Sequence, residues 1–228
     1  VALASDGEQL FVTSNRKTLD NYMYALDPAG DLTRTTYDAV LGKSICNDPE
    51  GSAYLNGLIY VSCQESKTVI AVDPKTNQVV KNPDGTPLVY RDFANQLLGL
   101  AAMGNNTLII GEEGPGAERN LLLFDVLEEK IIGSISLDAL FVGAESDYAQ
   151  ITGSAYAVAD PDGITRRIPD PDGIAYRNGK IYMTFEHDLR VYEISLNDPP
   201  VATPEPGTVL LLGLGLLGLT AGLRKKRA

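Results

Sequence analysis

The feature that most limits how this chain can fold is a hairpin pattern that occurs four times. Each copy has a short strand of small and apolar residues, a polar turn with Gly or Asn, and a strand of β-branched and aromatic residues. The copies are VALASDGEQLFVTS from Val1, EGSAYLNGLIYVSC from Glu50, LGLAAMGNNTLIIG from Leu98 and DGIAYRNGKIYMTF from Asp172. Such turns join neighbouring antiparallel strands. The pattern therefore predicts repeated antiparallel units.

Each hairpin is followed by a polar loop and a third apolar segment. These segments are YMYALD at 22–27, TVIAVD at 68–73, LLLFDV at 121–126 and RVYEIS at 190–195. QVV at 78–80 and IIGSISL at 131–137 are candidate fourth strands. Units of three or four antiparallel strands that recur about every 48 residues are typical of propeller blades, whereas a β-sandwich has no reason to repeat one hairpin. We expect an all-β protein, a β-propeller with four or five blades.

Two places interrupt this regularity. The spacing stretches to 74 residues between Leu98 and Asp172, so residues 138–168 form either a degenerate blade or a long insertion. The last unit has no fourth strand, because it runs into Pro199 and Pro200, which cannot serve a central ladder. We expect an incomplete ring in which a segment upstream of Val1, where an export signal would also lie, pairs with residues 189–196.

The segments YVS, VIAVDPKTNQVV and PDGIAYRNGKIYMT give the chain a family resemblance. They resemble bacterial propellers of the NHL, YVTN and gluconolactonase-like group, over most of residues 1–196. The resemblance implies the fold but not one function, because the group contains enzymes, scaffolds and binding proteins.

The C-terminus is a different kind of sequence, PEPGTVLLLGLGLLGLTAGLRKKRA from Pro204. The sixteen residues 208–223 carry no charge. As a helix they would span about 24 Å, against about 30 Å for a hydrocarbon core. A basic stop-transfer cluster follows, formed by Arg224, Lys225, Lys226 and Arg227. Because basic residues beside a span stay cytoplasmic, residues 208–228 are predicted to be a transmembrane helix with a basic tail, and residues 1–203 to lie outside the cytoplasm.

The Pro-Glu-Pro motif at 204–206, the apolar glycine-rich segment and the basic cluster follow one another in this order. Together they resemble the PEP-CTERM sorting signal of Gram-negative bacteria. The resemblance implies that Pro204, Glu205 and Pro206 are recognised by an exosortase, a membrane protease that removes the tail. It also implies an inner-membrane anchor with a periplasmic domain before processing, and a cell-surface or extracellular protein afterwards. The predicted domains are a propeller at 1–198, a Pro-rich linker with the motif at 199–207 and the anchor at 208–228.

Charge and cysteine content restrict the partners and the compartment. Residues 1–203 contain 15 basic and 29 acidic residues, a formal charge of −14, which argues against nucleic acid as a partner. Cys46 and Cys63 are the only cysteines. In an oxidising compartment they are compatible with a disulfide, and two buried free thiols are the alternative.

Acidic residues mark the end of the propeller at which chemistry is expected. Loops that lead into first strands, and loops that join second to third strands, lie on one face of a propeller. These loops contain Asp48, Glu50, Asp170, Asp172, Glu65, Glu112, Glu113, Glu186 and Asp188. Clustered carboxylates can hold Ca²⁺, although acidic residues are also common in ordinary turns. The resemblance to gluconolactonase-like enzymes points to Glu50 and Asp172 as the metal positions.

These observations give two hypotheses for function. The first is an exported, surface-sorted propeller, without chemistry or a cofactor of its own, that binds or scaffolds extracellular polysaccharide or surface proteins. The alternative is a calcium-dependent lactonase or esterase with its carboxylates at the propeller mouth. His187 is the single histidine. The sequence contains no GxSxG motif that would supply a nucleophilic serine for it, so we interpret His187 as a surface residue.

Overall fold

The computed structural model describes most of the first 196 residues, and these form an all-β protein. The described residues are 2–14, 22–26, 29, 32–36, 45–76, 78–114, 119–137, 158–159, 165–166, 171–185 and 191–196. The chain divides into two units at Ile194, and the strands described below lie in the first, Val1–Ile194, apart from the terminal Ser195.

The strands form four antiparallel sheets in chain order, together with one short pair. Sheet 1 contains β1 (Ala2–Ser5), β2 (Leu10–Ser14), β3 (Tyr22–Leu26) and β4 (Leu32–Thr36). Sheet 2 contains β5 (Pro49–Leu55), β6 (Leu58–Cys63), β7 (Thr68–Asp73), β8 (Gln78–Val79) and β9 (Val89–Tyr90). Sheet 3 contains β10 (Gln96–Met103), β11 (Thr107–Glu113), β12 (Arg119–Asp125) and β13 (Lys130–Ser136). The pair is β14 (Val158–Ala159) with β15 (Thr165–Arg166), and sheet 4 contains β16 (Gly173–Arg177), β17 (Lys180–Thr184) and β18 (Val191–Ser195).

The hairpins form where the sequence places glycine or asparagine in the turns. In sheet 2, the turn between β5 and β6 has Asn56 and Gly57 with φ angles of 52° and 82°. Both values lie in the left-handed region that matches the twist of an antiparallel hairpin. Asn178 and Gly179 repeat the arrangement in sheet 4, with φ angles of 53° and 77°. Local turn chemistry thus sets the hairpin registers.

The first strands of the four sheets pack side by side, as in a β-propeller. β1 contacts β5, β5 contacts β10, and β10 contacts β16. The Gly99 amide in β10 donates a hydrogen bond to the carbonyl oxygen of Pro171, just before β16, at 3.2 Å. Sheets 3 and 4 are therefore direct neighbours at their first strands.

Two apolar clusters lie between neighbouring sheets. The cluster between sheets 1 and 2 includes Phe11, Met23 and Ile59, while Leu100, Leu108 and other residues fill the space between sheets 2 and 3. Sheet 2 therefore buries both of its faces. This explains the nearly continuous apolar runs of β6 and β7, because strands covered on both sides do not alternate.

Cys46 and Cys63 form a disulfide with Cα atoms 5.1 Å apart. It joins the segment before β5 to the end of β6, and both cysteines are at most 1% exposed. Cys63 pairs with Pro49 in the ladder, which brings its side chain next to Cys46. Closing a loop of this size stabilises a fold by about 3 kcal/mol in the chain-entropy model.

The two terminal sheets are less covered than the central pair. Leu3, Leu10 and Leu26 lie on one face of sheet 1 and are 61%, 42% and 37% exposed. Among the described strands, β18 pairs with β17 on one side only. The arrangement is compatible with an incomplete ring, and pairing of a segment upstream of Val1 with residues 189–196 stays a prediction.

Several predicted features lie outside the described residues. They include His187, the Pro-Glu-Pro motif with its linker, the segment 208–228 and most of residues 138–168. In the portion of the chain that the structure describes, no helix is long and apolar enough to cross a membrane.

Candidate functional site

Three carboxyl groups lie together at one end of the inner strands, the first strands of the four sheets. The sequence predicts that this end is the mouth of the propeller. Asp48 and Glu50 flank the start of β5, and Asp172 directly precedes β16. The side chains of Asp48 and Glu50 share a hydrogen bond, and Asp172 is close enough to influence the ionisation of Glu50. The two residues predicted to form the site, Glu50 and Asp172, are therefore neighbours in space.

Local backbone interactions hold Asp48 in this position. Its φ angle is 60°, and its carbonyl oxygen accepts a hydrogen bond from the Gln64 amide at 2.8 Å. The Asn47 amide donates to Ser66 Oγ at 2.9 Å. The Cys46–Cys63 disulfide fixes the same loop to β6. Asp48 is 4% exposed, so its carboxyl group is buried beside Glu50.

The pKa of Glu50 is raised from 4.5 to about 7. Burial is the largest cause, because it disfavours the charged form. The carboxylates of Asp48 and Asp172 add to the effect, since a like charge nearby also disfavours ionisation.

Replacing Glu50 with glutamine should stabilise the protein at pH 8 and have little effect at pH 4. The folded state binds the Glu50 proton more tightly than the unfolded state, so parental stability falls as pH rises from about 4.5 to about 7. The full shift corresponds to about 3 kcal/mol, and partial exposure of Glu50 reduces the expected gain to roughly 1 to 2 kcal/mol.

Urea unfolding of parent and Glu50→Gln at both pH values measures this difference. Glu128→Gln is the matched control, because Glu128 lies on the turn between β12 and β13 and pairs with Lys130 at the surface. A gain of the same size at pH 4 and pH 8 would show that Glu50 is not the titrating group.

Other acidic residues of the mouth have structural roles. Glu112 is 6% exposed and accepts hydrogen bonds from Asn95 at 3.0 Å and Asn120 at 3.2 Å. Arg119 is fully buried and pairs with Glu113 at 3.3 Å. Two amides or a guanidinium satisfy these carboxylates, so they tie β11 to its neighbours rather than facing a ligand.

Across the described ranges, no group of three or more His, Cys, Asp or Glu residues has a geometry that could hold a metal ion. Asp170, Glu186 and Asp188, which the sequence also places at the mouth, lie outside those ranges. A metal site at Glu50 and Asp172 stays a prediction.

A cavity of about 390 Å³ opens beside Asp172. Its polar wall contains Asp172 and the hydroxyl-bearing residues Ser52, Tyr182 and Thr184. The remaining lining residues are Leu3, Gly51, Leu100, Gly173, Ile174, Ala175, Met183 and Val191. Ser52 and Tyr182 were not anticipated from sequence, because each sits in an ordinary strand pattern and reaches the cavity only through packing of the sheets.

The fold defines a class, a β-propeller with a cavity beside acidic residues at one end of its first strands. Residues 202–227 match the PEP-CTERM protein-sorting motif, so the chain joins such a propeller to a C-terminal sorting signal. The signal implies export, a membrane-anchored sorting segment and processing by an exosortase. No curated protein matches the sequence.

Solved structures similar to this chain are β-propeller proteins. Glutaminyl cyclase from Myxococcus xanthus matches with a TM-score of 0.52 and 20% identity, over 84% of this chain and 70% of that one. A luciferin-regenerating enzyme matches with a TM-score of 0.52 and 9% identity, over 84% of this chain and 59% of that one. The chain thus spans less than two thirds of the second neighbour. At these identities, the likeness establishes the propeller fold alone.

Proposed function

We propose that this protein is an exported, surface-sorted β-propeller that binds extracellular polysaccharide at the mouth cavity. Before processing, the propeller faces the periplasm and the C-terminal helix holds it in the inner membrane. After an exosortase cuts near Pro204–Pro206, the propeller reaches the cell surface or the medium. The buried Cys46–Cys63 disulfide supports this route, since disulfides persist in oxidising compartments.

The observation that carries the binding proposal is the composition of the cavity. The ring of Tyr182 offers a flat apolar surface for the C–H face of a sugar, and Thr184 and Asp172 offer hydrogen-bonding groups for its hydroxyls. A mostly apolar lining with a few polar groups is the usual build of a small-molecule site. The volume fits a terminal sugar or a side branch of a polymer.

Affinity electrophoresis in gels that contain the exopolysaccharide of the producing bacterium tests the proposal. The parent protein should be retarded, and Tyr182→Ala should weaken binding about tenfold, equivalent to about 1.4 kcal/mol. Tyr176→Ala is the matched control, because Tyr176 lies in the adjacent strand of sheet 4 and does not line the cavity. Equal retardation of parent and Tyr182→Ala would refute binding at this site.

A further inference from the structure

We propose that Asn178 is a modification site, at which the folded protein deamidates spontaneously, and that the equivalent Asn56 is protected from the same reaction. The inference comes from a comparison of two hairpin turns that share a backbone and differ in the hydrogen bonds of one side chain. It does not depend on the polysaccharide proposal, because neither asparagine lines the cavity.

The two turns have the same residues and nearly the same backbone. Asn56 and Gly57 join β5 to β6, and Asn178 and Gly179 join β16 to β17. The φ angles are 52° and 82° in the first turn and 53° and 77° in the second. Both asparagines are exposed. A difference in their reactivity must therefore come from what each side chain contacts.

The reaction needs only the asparagine, the residue after it and water. The backbone nitrogen of the following residue attacks Cγ of the asparagine, and a new N–Cγ bond forms. The Cγ–Nδ2 bond breaks, and ammonia leaves with the proton that the attacking nitrogen has given up. Water then opens the cyclic imide to aspartate or isoaspartate. Glycine is the most favourable following residue, because it has no side chain to obstruct the attack.

Hydrogen bonds to a neighbouring sheet hold the Asn56 amide. Its Nδ2 donates to the carbonyl oxygen of Asn105 and to Oδ1 of Asn106, the latter at 3.1 Å. Both acceptors lie in the turn between β10 and β11. The rotation that brings Cγ towards the Gly57 nitrogen breaks these hydrogen bonds. Their loss should slow the reaction about tenfold, equivalent to about 1.4 kcal/mol.

The Asn178 amide is not held in this way. Within the described ranges, its side chain makes no hydrogen bond. It can therefore turn towards the Gly179 nitrogen without that cost. Of the two products, aspartate tolerates the left-handed turn. Isoaspartate adds one carbon atom to the main chain, so the two-residue turn no longer matches its strands and the pairing of β16 with β17 is weakened.

Incubation of the full-length protein in mildly alkaline buffer tests the proposal, because the attacking nitrogen must lose its proton. Chymotryptic peptides analysed by mass spectrometry give the rate at which each amide becomes a carboxyl group. In the folded protein, Asn178 should convert about tenfold faster than Asn56. In guanidinium chloride, which removes the contacts of the fold, the two rates should be similar.

Two variants connect the rates to the turns. Asn106→Ala removes one acceptor of the Asn56 amide and should raise the Asn56 rate about threefold, with no effect on Asn178. Asn178→Gly removes the reactive amide and keeps a favourable turn, because Gly-Gly also suits this hairpin. During incubation, the thermal unfolding midpoint of the parent should fall and that of Asn178→Gly should stay constant.

Three outcomes would contradict the proposal. Equal rates for the two asparagines in the folded parent, or a faster Asn56, would show that the hydrogen bonds do not protect. Absence of conversion at Asn178 while the unfolded chain converts would show that the turn itself prevents the reaction. An equal fall in the unfolding midpoints of parent and Asn178→Gly would place the damage elsewhere. The parent comparison needs no variant, so it is decisive even if Asn106→Ala fails to fold.

Discussion

A chain in which Pro204, Glu205 and Pro206 are all replaced by alanine is expected to remain uncut and held in the inner membrane. The two prolines fix φ and disfavour helix in the residue before each, so the motif stays extended where a protease cleft needs an extended backbone. Alanine removes this restriction and would allow a helix to extend from the predicted anchor towards the propeller. The loss of processing should be nearly complete.

Immunoblots of fractionated cells that contain the cognate exosortase measure the outcome. The parent should appear as a shortened form at the surface or in the medium, and the triple variant as the full-length form in the membrane fraction. Replacement of Pro199 and Pro200 by alanine is the matched control, because these prolines lie in the same linker but outside the motif. If the triple variant is shortened as efficiently as the parent, the motif is not the recognition element.

Replacing Gly99 with alanine should be among the most destabilising single changes in the propeller. A Cβ at this position would lie 2.8 Å from the carbonyl oxygen of Pro171 and still closer to the backbone of Asp172. Both obstacles are backbone atoms, so β10 and the start of β16 would have to move apart. Forced overpacking of this kind costs about 3 kcal/mol or more, a large share of a typical stability of about 5–15 kcal/mol.

Denaturant unfolding of Gly99→Ala beside Gly133→Ala tests this expectation. Gly133 also lies within a strand of sheet 3, and a Cβ there would meet only the Leu123 side chain, at 3.4 Å. Gly133→Ala should therefore change stability by less than about 1 kcal/mol. Similar unfolding midpoints for the two variants would mean that the inner strands can separate at little cost.

Gly51 is a second glycine at which neighbouring first strands approach each other closely. In the second unit, a Cβ at Gly51 would lie within 2.6 Å of the backbone of β10. The buried Ser62 accepts a hydrogen bond from the Gly51 amide at 2.8 Å and donates one to the Leu98 carbonyl. Glycine at the second position of the second and third copies of the hairpin thus allows β5 to approach β10, and β10 to approach the start of β16.

Strand order and sheet pairing were largely predictable from the sequence, with a few omissions. β4 (Leu32–Thr36), β9 (Val89–Tyr90) and the short pair of β14 with β15 were not anticipated. β4 carries no apolar alternation that distinguishes it from a polar loop. β9 has two residues and pairs with β7, about twenty residues earlier, through contacts that a local pattern cannot show.

The sequence alone was enough for the hairpins, the propeller fold and the sorting signal, because each depends on neighbouring residues. Turn type follows from Asn56 and Gly57, and the signal is a linear order of motif, apolar segment and basic cluster. It also placed Glu50 and Asp172 on one end of the propeller. Only the tertiary structure brought Asp48 against Glu50 and shaped the cavity of Ser52 and Tyr182. These residues come from different strands and sheets, and their distances depend on how closely the inner strands pack.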